Sequence, residues 1–309
     1  MNAKKASALM VLCAVVAPAF ATEGGGNSYP IGVETQRVAL TPPPGDHWFV
    51  YYQHYDASHM KDNAGHDNPA LAHFHVRADV LALRWTHVWR GVTWLGASVE
   101  TRIVQPFADT HLSLGIARPR PLVPLERGGE HAGLADTAFV PIILAWHGAR
   151  LHQALGLDTH VPLGDYDQSR PVNTGRNYYQ AAPFYALTWL DPQGWEASAK
   201  LRYAFNSRNH ATDYLSGNEA TIEFSAGRRF SASWAGGING YVYRQTTDDE
   251  LHGAAVNGNG NRGRVQALGP YLQVQLTPGC AIVAKLQSEW GARNRPQGTR
   301  AWLQARLPF

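Results

Sequence analysis

The sequence predicts an all-β fold: a transmembrane antiparallel β-barrel of about twelve strands with both termini on the periplasmic side. Three observations point there. At the end of the chain, Ala301, Leu303, Ala305, Leu307 and Phe309 form one row, and Arg300, Trp302, Gln304 and Arg306 the other. A two-residue period means a strand with one apolar and one polar face. That alternation recurs from His47 onward, and its segments are joined by short and long connections in turn. Alternation by itself fits the last strand of a secreted β-sandwich equally well, since it does not say which face is wet. Loop parity separates the two, because only a barrel with turns on one side of a membrane and loops on the other has reason to sort them.

The N-terminus supports export. Lys4 and Lys5 precede an apolar run from Ala8 that closes on Ala19-Phe20-Ala21. This reads as a signal peptide over residues 1–21, with Thr22 opening the mature chain. The run is too short for a spanning helix. Its removal lowers the formal charge from +3 to +1, a balance that argues against nucleic acid as a partner. Only Cys280 then remains, so no internal disulfide is expected. No later stretch approaches eighteen consecutive apolar residues, which excludes a helical membrane protein.

Residues 22–46 form an irregular segment, punctuated by Gly24-Gly25-Gly26, Tyr29-Pro30 and Pro42-Pro43-Pro44. It is expected to fold back into the lumen as a plug. Tyr29 and Ile31 would supply apolar contacts, while Glu34 and Arg37 would meet charged rows on the wall. A loose periplasmic tail is the alternative.

The barrel is expected over 47–309. The alternation places strands at 47–56, 73–86, 93–105, 134–146, 151–161, 177–190, 195–206, 218–228, 234–246, 264–276, 280–290 and 299–309. Many are close to the nine to eleven residues that a tilted strand needs to cross a bilayer. Short connections are expected at 87–92, 147–150, 191–194, 229–233 and 277–279. The long polar ones include 106–133, 162–176 and 247–263, with a modest one at 291–298. Trp48, Trp85, Trp89, Trp94, Trp146, Trp189, Trp195 and Trp234 gather near the short-turn ends. Tyr55, Tyr178, Tyr179, Tyr203, Phe205 and Tyr243 tend toward the other. Two aromatic belts are expected where a barrel meets the headgroup layers.

A family resemblance covers essentially the whole mature chain. It rests on Thr22-Glu23-Gly24-Gly25-Gly26 with Tyr29-Pro30 and Gly32, then Pro42-Pro43-Pro44-Gly45 and Gly133-Leu134-Ala135-Asp136. Further matches are Pro162-Leu163-Gly164-Asp165-Tyr166, Asn173-Thr174-Gly175-Arg176-Asn177-Tyr178, Tyr214-Leu215-Ser216-Gly217 and the stretch 241–249. In these motifs the chain resembles the outer-membrane transporter family of the meta-pathway of phenol degradation. Leu163 stands where members more often carry Thr, and Ala135 where they carry Gly. The resemblance implies an outer-membrane channel associated with uptake of aromatic or other hydrophobic small molecules.

No catalytic constellation stands out, and no enzyme activity, cofactor or metal is expected. Gly258-Asn259-Gly260-Asn261-Arg262-Gly263 matches G-x-G-x-x-G, but it leads into a strand rather than a helix. His54, Asp56, His59, Asp62, His66, Asp67, His73 and His75 gather around the first long loop without a fixed ligand spacing. A nucleophile elbow is lacking, and so is the His-x-Ser-Asn-Gly pattern of barrel phospholipases.

Charged rows carry the functional reading. Arg77, Asp79, Glu100, Arg102, Glu196, Lys200, Arg202, Glu223, Lys285 and Glu289 lie opposite apolar rows. A midplane Arg or Lys facing lipid costs about 2–4 kcal/mol, so all ten are expected to line the pore. The expectation is passive uptake of small molecules through a narrow, partly obstructed lumen in the bacterial outer membrane. Its partners would be the lipid bilayer, a small-molecule solute and, through the C-terminal strand, the outer-membrane assembly machinery. A non-conducting structural or adhesion barrel with partner-binding loops is the rival.

Overall fold

The computed structural model describes residues 23–119 and 122–307. The expected signal peptide, Thr22 and the terminal Phe309 lie outside the described residues. The strands are β1 (Gly45–Met60), β2 (Leu71–Trp94), β3 (Ala97–Ile116), β4 (Leu125–Leu134), β5 (Thr137–His147) and β6 (Leu151–Val161). They continue with β7 (Gln180–Leu190), β8 (Trp195–Asn206), β9 (Arg208–Asn209), β10 (Tyr214–Leu215), β11 (Glu219–Arg229) and β12 (Trp234–Gln245). The last are β13 (Glu250–Leu251), β14 (Ala254–Ala255), β15 (Arg264–Thr277), β16 (Cys280–Arg293) and β17 (Pro296–Arg306).

Antiparallel pairing runs around a closed ring. β17 returns to β1 in register from Arg306↔Phe49 to Pro296↔Met60, which removes any free edge. β4 and β5 share one stave. β4 pairs with the far half of β3, from Phe107↔Leu134 to Ile116↔Leu125, and β5 with its near half, from Val104↔Ala138 to Ser98↔Ala145. The barrel therefore has twelve staves. β9, β10, β13 and β14 form a separate small sheet from the connections after β8 and β12.

Three connections differ from the sequence expectation. The turn expected at 87–92 lies within β2, where a bulge falls between Val88 and Thr93. The chain reverses instead at Leu95-Gly96, both at positive φ (51° and 74°), the backbone of a tight two-residue hairpin. Leucine seldom takes that conformation, so Leu95 gave no turn signal. The expected long loop 106–133 is mostly strand, because β3 and β4 form a projecting hairpin. Pro106 and the glycines of β4 looked like breakers, yet Pro106 pairs with Ala82 and Gly133 with Ala108. The modest loop at 291–298 shrinks to Asn294-Arg295 between β16 and β17, so loop parity fails on that one connection.

The outer wall explains why the fold needs a membrane. Cross-strand neighbours Leu155, Tyr185, Leu201, Ile222 and Val242 form one exposed row over β6, β7, β8, β11 and β12. Leu303, Tyr52, Leu81, Phe107 and Leu134 form another over β17, β1, β2, β3 and β4. A band of large apolar side chains around a closed barrel is the surface of a transmembrane barrel, and it would be unstable in water. Trp89, Trp94, Trp189, Trp195 and Trp234 are exposed near the short-turn end, as an interfacial belt requires.

Candidate functional site: the lumen and the segment inside it

Alternation that turns leucine outward turns the polar row inward. On β8, Glu196, Ser198, Lys200 and Arg202 are all nearly fully buried. Water does not cover them; the chain before β1 does. Residues 23–44 contain no strand, only a 3-10 turn at Glu23–Gly25, and they pass through the barrel from the loop end to the turn end.

A segment without a ladder must satisfy its backbone in some other way. Here the wall side chains do so. Glu223 accepts from the Gly32 amide at 2.5 Å, and Lys285 donates to the carbonyls of Gly32 and Val33, both at 2.8 Å. Gln304 reaches the Val33 carbonyl and Ser225 that of Thr35, each at 2.8 Å. Further down, the amides of Arg37 and Ala39 donate to Ser198 (2.9 Å) and Thr188 (3.1 Å). Gly32 is at φ 91°, and a Cβ there would stand 2.3 Å from Gln287 Oε1, so this step admits only glycine.

Side chains complete the docking. The Tyr29 hydroxyl donates to Glu223 at 2.6 Å. Ile31, 2 % exposed, packs with Tyr29, Tyr241, Tyr243 and Val265. Arg37 donates twice to Glu196 Oε2, at 3.0 and 2.6 Å. Glu34 meets three cations: Arg102 at 2.9 Å, Lys200 at 2.5 Å and Arg84 at 3.3 Å. Three cations around one carboxylate compensate the charge that burial in the lumen would otherwise make costly.

Of the ten charged residues expected to line the lumen, Glu100, Arg102, Glu196, Lys200, Arg202, Glu223, Lys285 and Glu289 face inward and are buried. They pair among themselves as well as with the segment. Arg102 bonds Glu100, Lys200 and Arg202 share Asp158 (3.0 and 3.3 Å), and Glu289 takes Arg300 at 3.2 Å. Arg77 and Asp79 are a correction. They lie on the outward face of β2 with Leu81 and Leu83, Asp79 accepting from Tyr52 and pairing with His54 at 2.7 Å. Beyond the Leu303–Leu134 row the strands leave the apolar band, and the polar face becomes the outer one. His75–Asp56 (2.9 Å) and His111–Glu130 (3.0 Å) continue this outward polar zone. Among the described residues no group of three or more His, Cys, Asp or Glu is placed to hold a metal ion.

Several inward residues were missed from sequence. Asp158, His160 and Arg300 sit in visible polar rows. Arg84 follows the apolar run Val80 to Leu83, which hides it. With Arg77 and Asp79 outside, the inner row of β2 before Arg84 is Val76, Ala78, Val80 and Ala82, facing Leu112, Thr110, Ala108 and Pro106 of β3. This lane stays open because the segment docks on the far wall. A cavity of about 360 Å3 follows it from the loop end. A second, about 90 Å3, continues toward Arg84 and Arg102 and shares Tyr29, Gln53, Val80 and Pro106 with the first.

The barrel is similar to an outer membrane channel from Pseudomonas putida F1, at 16% identity and a TM-score of 0.76, over 90% of this chain and all of that one. The β domain of a Bordetella autotransporter gives a TM-score of 0.45 at 12% identity, over 86% of this chain and all of that one. The translocator domain of an autotransporter from Neisseria meningitidis also gives 0.45, at 11% identity, covering 88% and 91% of the two chains. No curated protein matches in sequence. Residues 57–305 match the family described as "Putative MetA-pathway of phenol degradation".

Proposed function

The chain belongs to this phenol-degradation family, and we propose that it is a passive outer-membrane channel for small aromatic or hydrophobic molecules. The lane carries this reading. A lumen with twelve staves has more space than its side chains fill, and the N-terminal segment takes up one side of that space only. What remains is a lane whose β2–β3 side is mostly apolar, with Val76, Ala78, Val80, Pro106 and Ala108, and which ends among paired charges.

In this reading the short turns and both termini face the periplasm, and the long connections face outward. The segment restricts flow and is not itself a substrate site. The C-terminal strand is the element the assembly machinery would engage. Planar-bilayer recording of the mature barrel should show discrete conductance steps, with phenol added on the loop side interrupting the current. A folded but silent barrel would favour a structural or adhesion role.

A further inference from the structure

Glu34 is the one carboxylate that the unpaired segment delivers to the closed end of the lane, and it arrives among cations. Arg102 and Lys200 already own carboxylates on the wall, Glu100 and Asp158. Arg84 does not. Among the described residues its one acid contact is Glu34, at 3.3 Å, and its Nε has no hydrogen-bond partner; its guanidinium lies 3.9 Å over the Phe49 ring. Arg306, further toward the turn end, also keeps Nε without a partner. Buried donors left open are costly, and a channel that held only a structural ion pair would have no use for them.

The adjoining cavity supplies the rest of a site. Val80, Ala82, Val104 and Val140 give it apolar walls. Two polar atoms on the same lining lack partners: Gln53 Oε1 and His160 Nδ1, on side chains 6% and 3% exposed. A dry apolar cavity of about 150 Å3 accepts benzene. The 90 Å3 chamber is smaller, and its opening to the 360 Å3 cavity gives a ring the remaining room.

We propose that Glu34 is a tethered occupant of an anion site, and that the transported guest is a single-ring aromatic carboxylate. The ring lies in the apolar chamber and its carboxylate replaces that of Glu34 on Arg84. This exchanges like for like: the cations keep a partner, and the displaced segment, held by no ladder, shifts away from the lane. A neutral ring offers no such replacement and leaves Glu34 in place. The idea rests on the channel reading and narrows it to a substrate class.

The test is planar-bilayer recording with benzoate and phenol as probes on the wild type, Glu34→Gln and Arg84→Gln. Heat-modifiable migration serves as the folding control. In the wild type, benzoate should interrupt the current at a concentration roughly tenfold below that of phenol, the factor one charge-assisted hydrogen bond supports. Glu34→Gln should lower the effective benzoate concentration and move the reversal potential toward anion selectivity. Arg84→Gln should abolish the preference, and it carries the test alone if Glu34→Gln fails to fold. Equal action of both probes with no change in Glu34→Gln, or action by phenol only, overturns the inference and leaves the channel reading standing. Salt current untouched by either probe overturns both.

Discussion

Arg37 Nη2 lies 2.6 Å from Glu196 Oε2, tying the segment inside the barrel to β8 across 159 residues of sequence. The same carboxylate accepts from the Tyr271 hydroxyl at 2.8 Å, so Glu196 is held from two sides, by Tyr271 on the wall and by Arg37 of the segment. The pair fixes the turn-end half of the segment, below the Glu34 contacts.

Removing either partner should loosen that half without opening the barrel. Arg37→Ala and Glu196→Gln are each expected to weaken docking by about 1.5–3 kcal/mol, the range for hydrogen bonds to charged groups. Combined, they should cost little more than one alone. Protease cleavage within residues 37–44 of the reconstituted protein measures this, and strictly additive effects would contradict a direct coupling.

Arg77 and Asp79 separate the inner wall from the outer. On the outward face, they should be silent in transport: Arg77→Gln and Asp79→Asn leave single-channel conductance unchanged. Arg102→Gln and Glu223→Gln, whose side chains face the segment, should alter it.

Most of the barrel was legible because alternation is strict wherever one face meets lipid. Leu201, Lys200 and Arg202 announce their faces by composition. The signal failed where the strands outrun the membrane. In β2 the polar residues Arg77 and Asp79 point outward into the zone beyond the apolar row, so a rule that puts charge inside chose the wrong face. Arg84 was hidden for the opposite reason, since a lane of Val80 and Ala82 makes both faces of that strand apolar. The turn at Leu95-Gly96 was unreadable because leucine took a conformation normally left to glycine or asparagine. The polar partners of residues 23–44 were visible only as types; which wall they dock on is set by pairing across the whole barrel.

Orientation gives a separate check. A tag inserted near Arg118 or Gly260 should be reached by antibody on intact cells, and one near Gln193 should not. The reverse pattern would invert the barrel.

In the proposed function, solute passes between the N-terminal segment and the β2–β3 wall, not along the wall the segment covers. Thiol modification during single-channel recording tests it most directly, in a Cys280→Ser background because Cys280 is a partly exposed free thiol. Ala108→Cys places a thiol on the open lane. Ser225→Cys places one behind the segment, where Ser225 now bonds the Thr35 carbonyl at 2.8 Å. A bulky thiol reagent added from the loop side should reduce the current of Ala108→Cys and leave that of Ser225→Cys unchanged. Block at Ser225→Cys with free passage at Ala108→Cys would contradict the account.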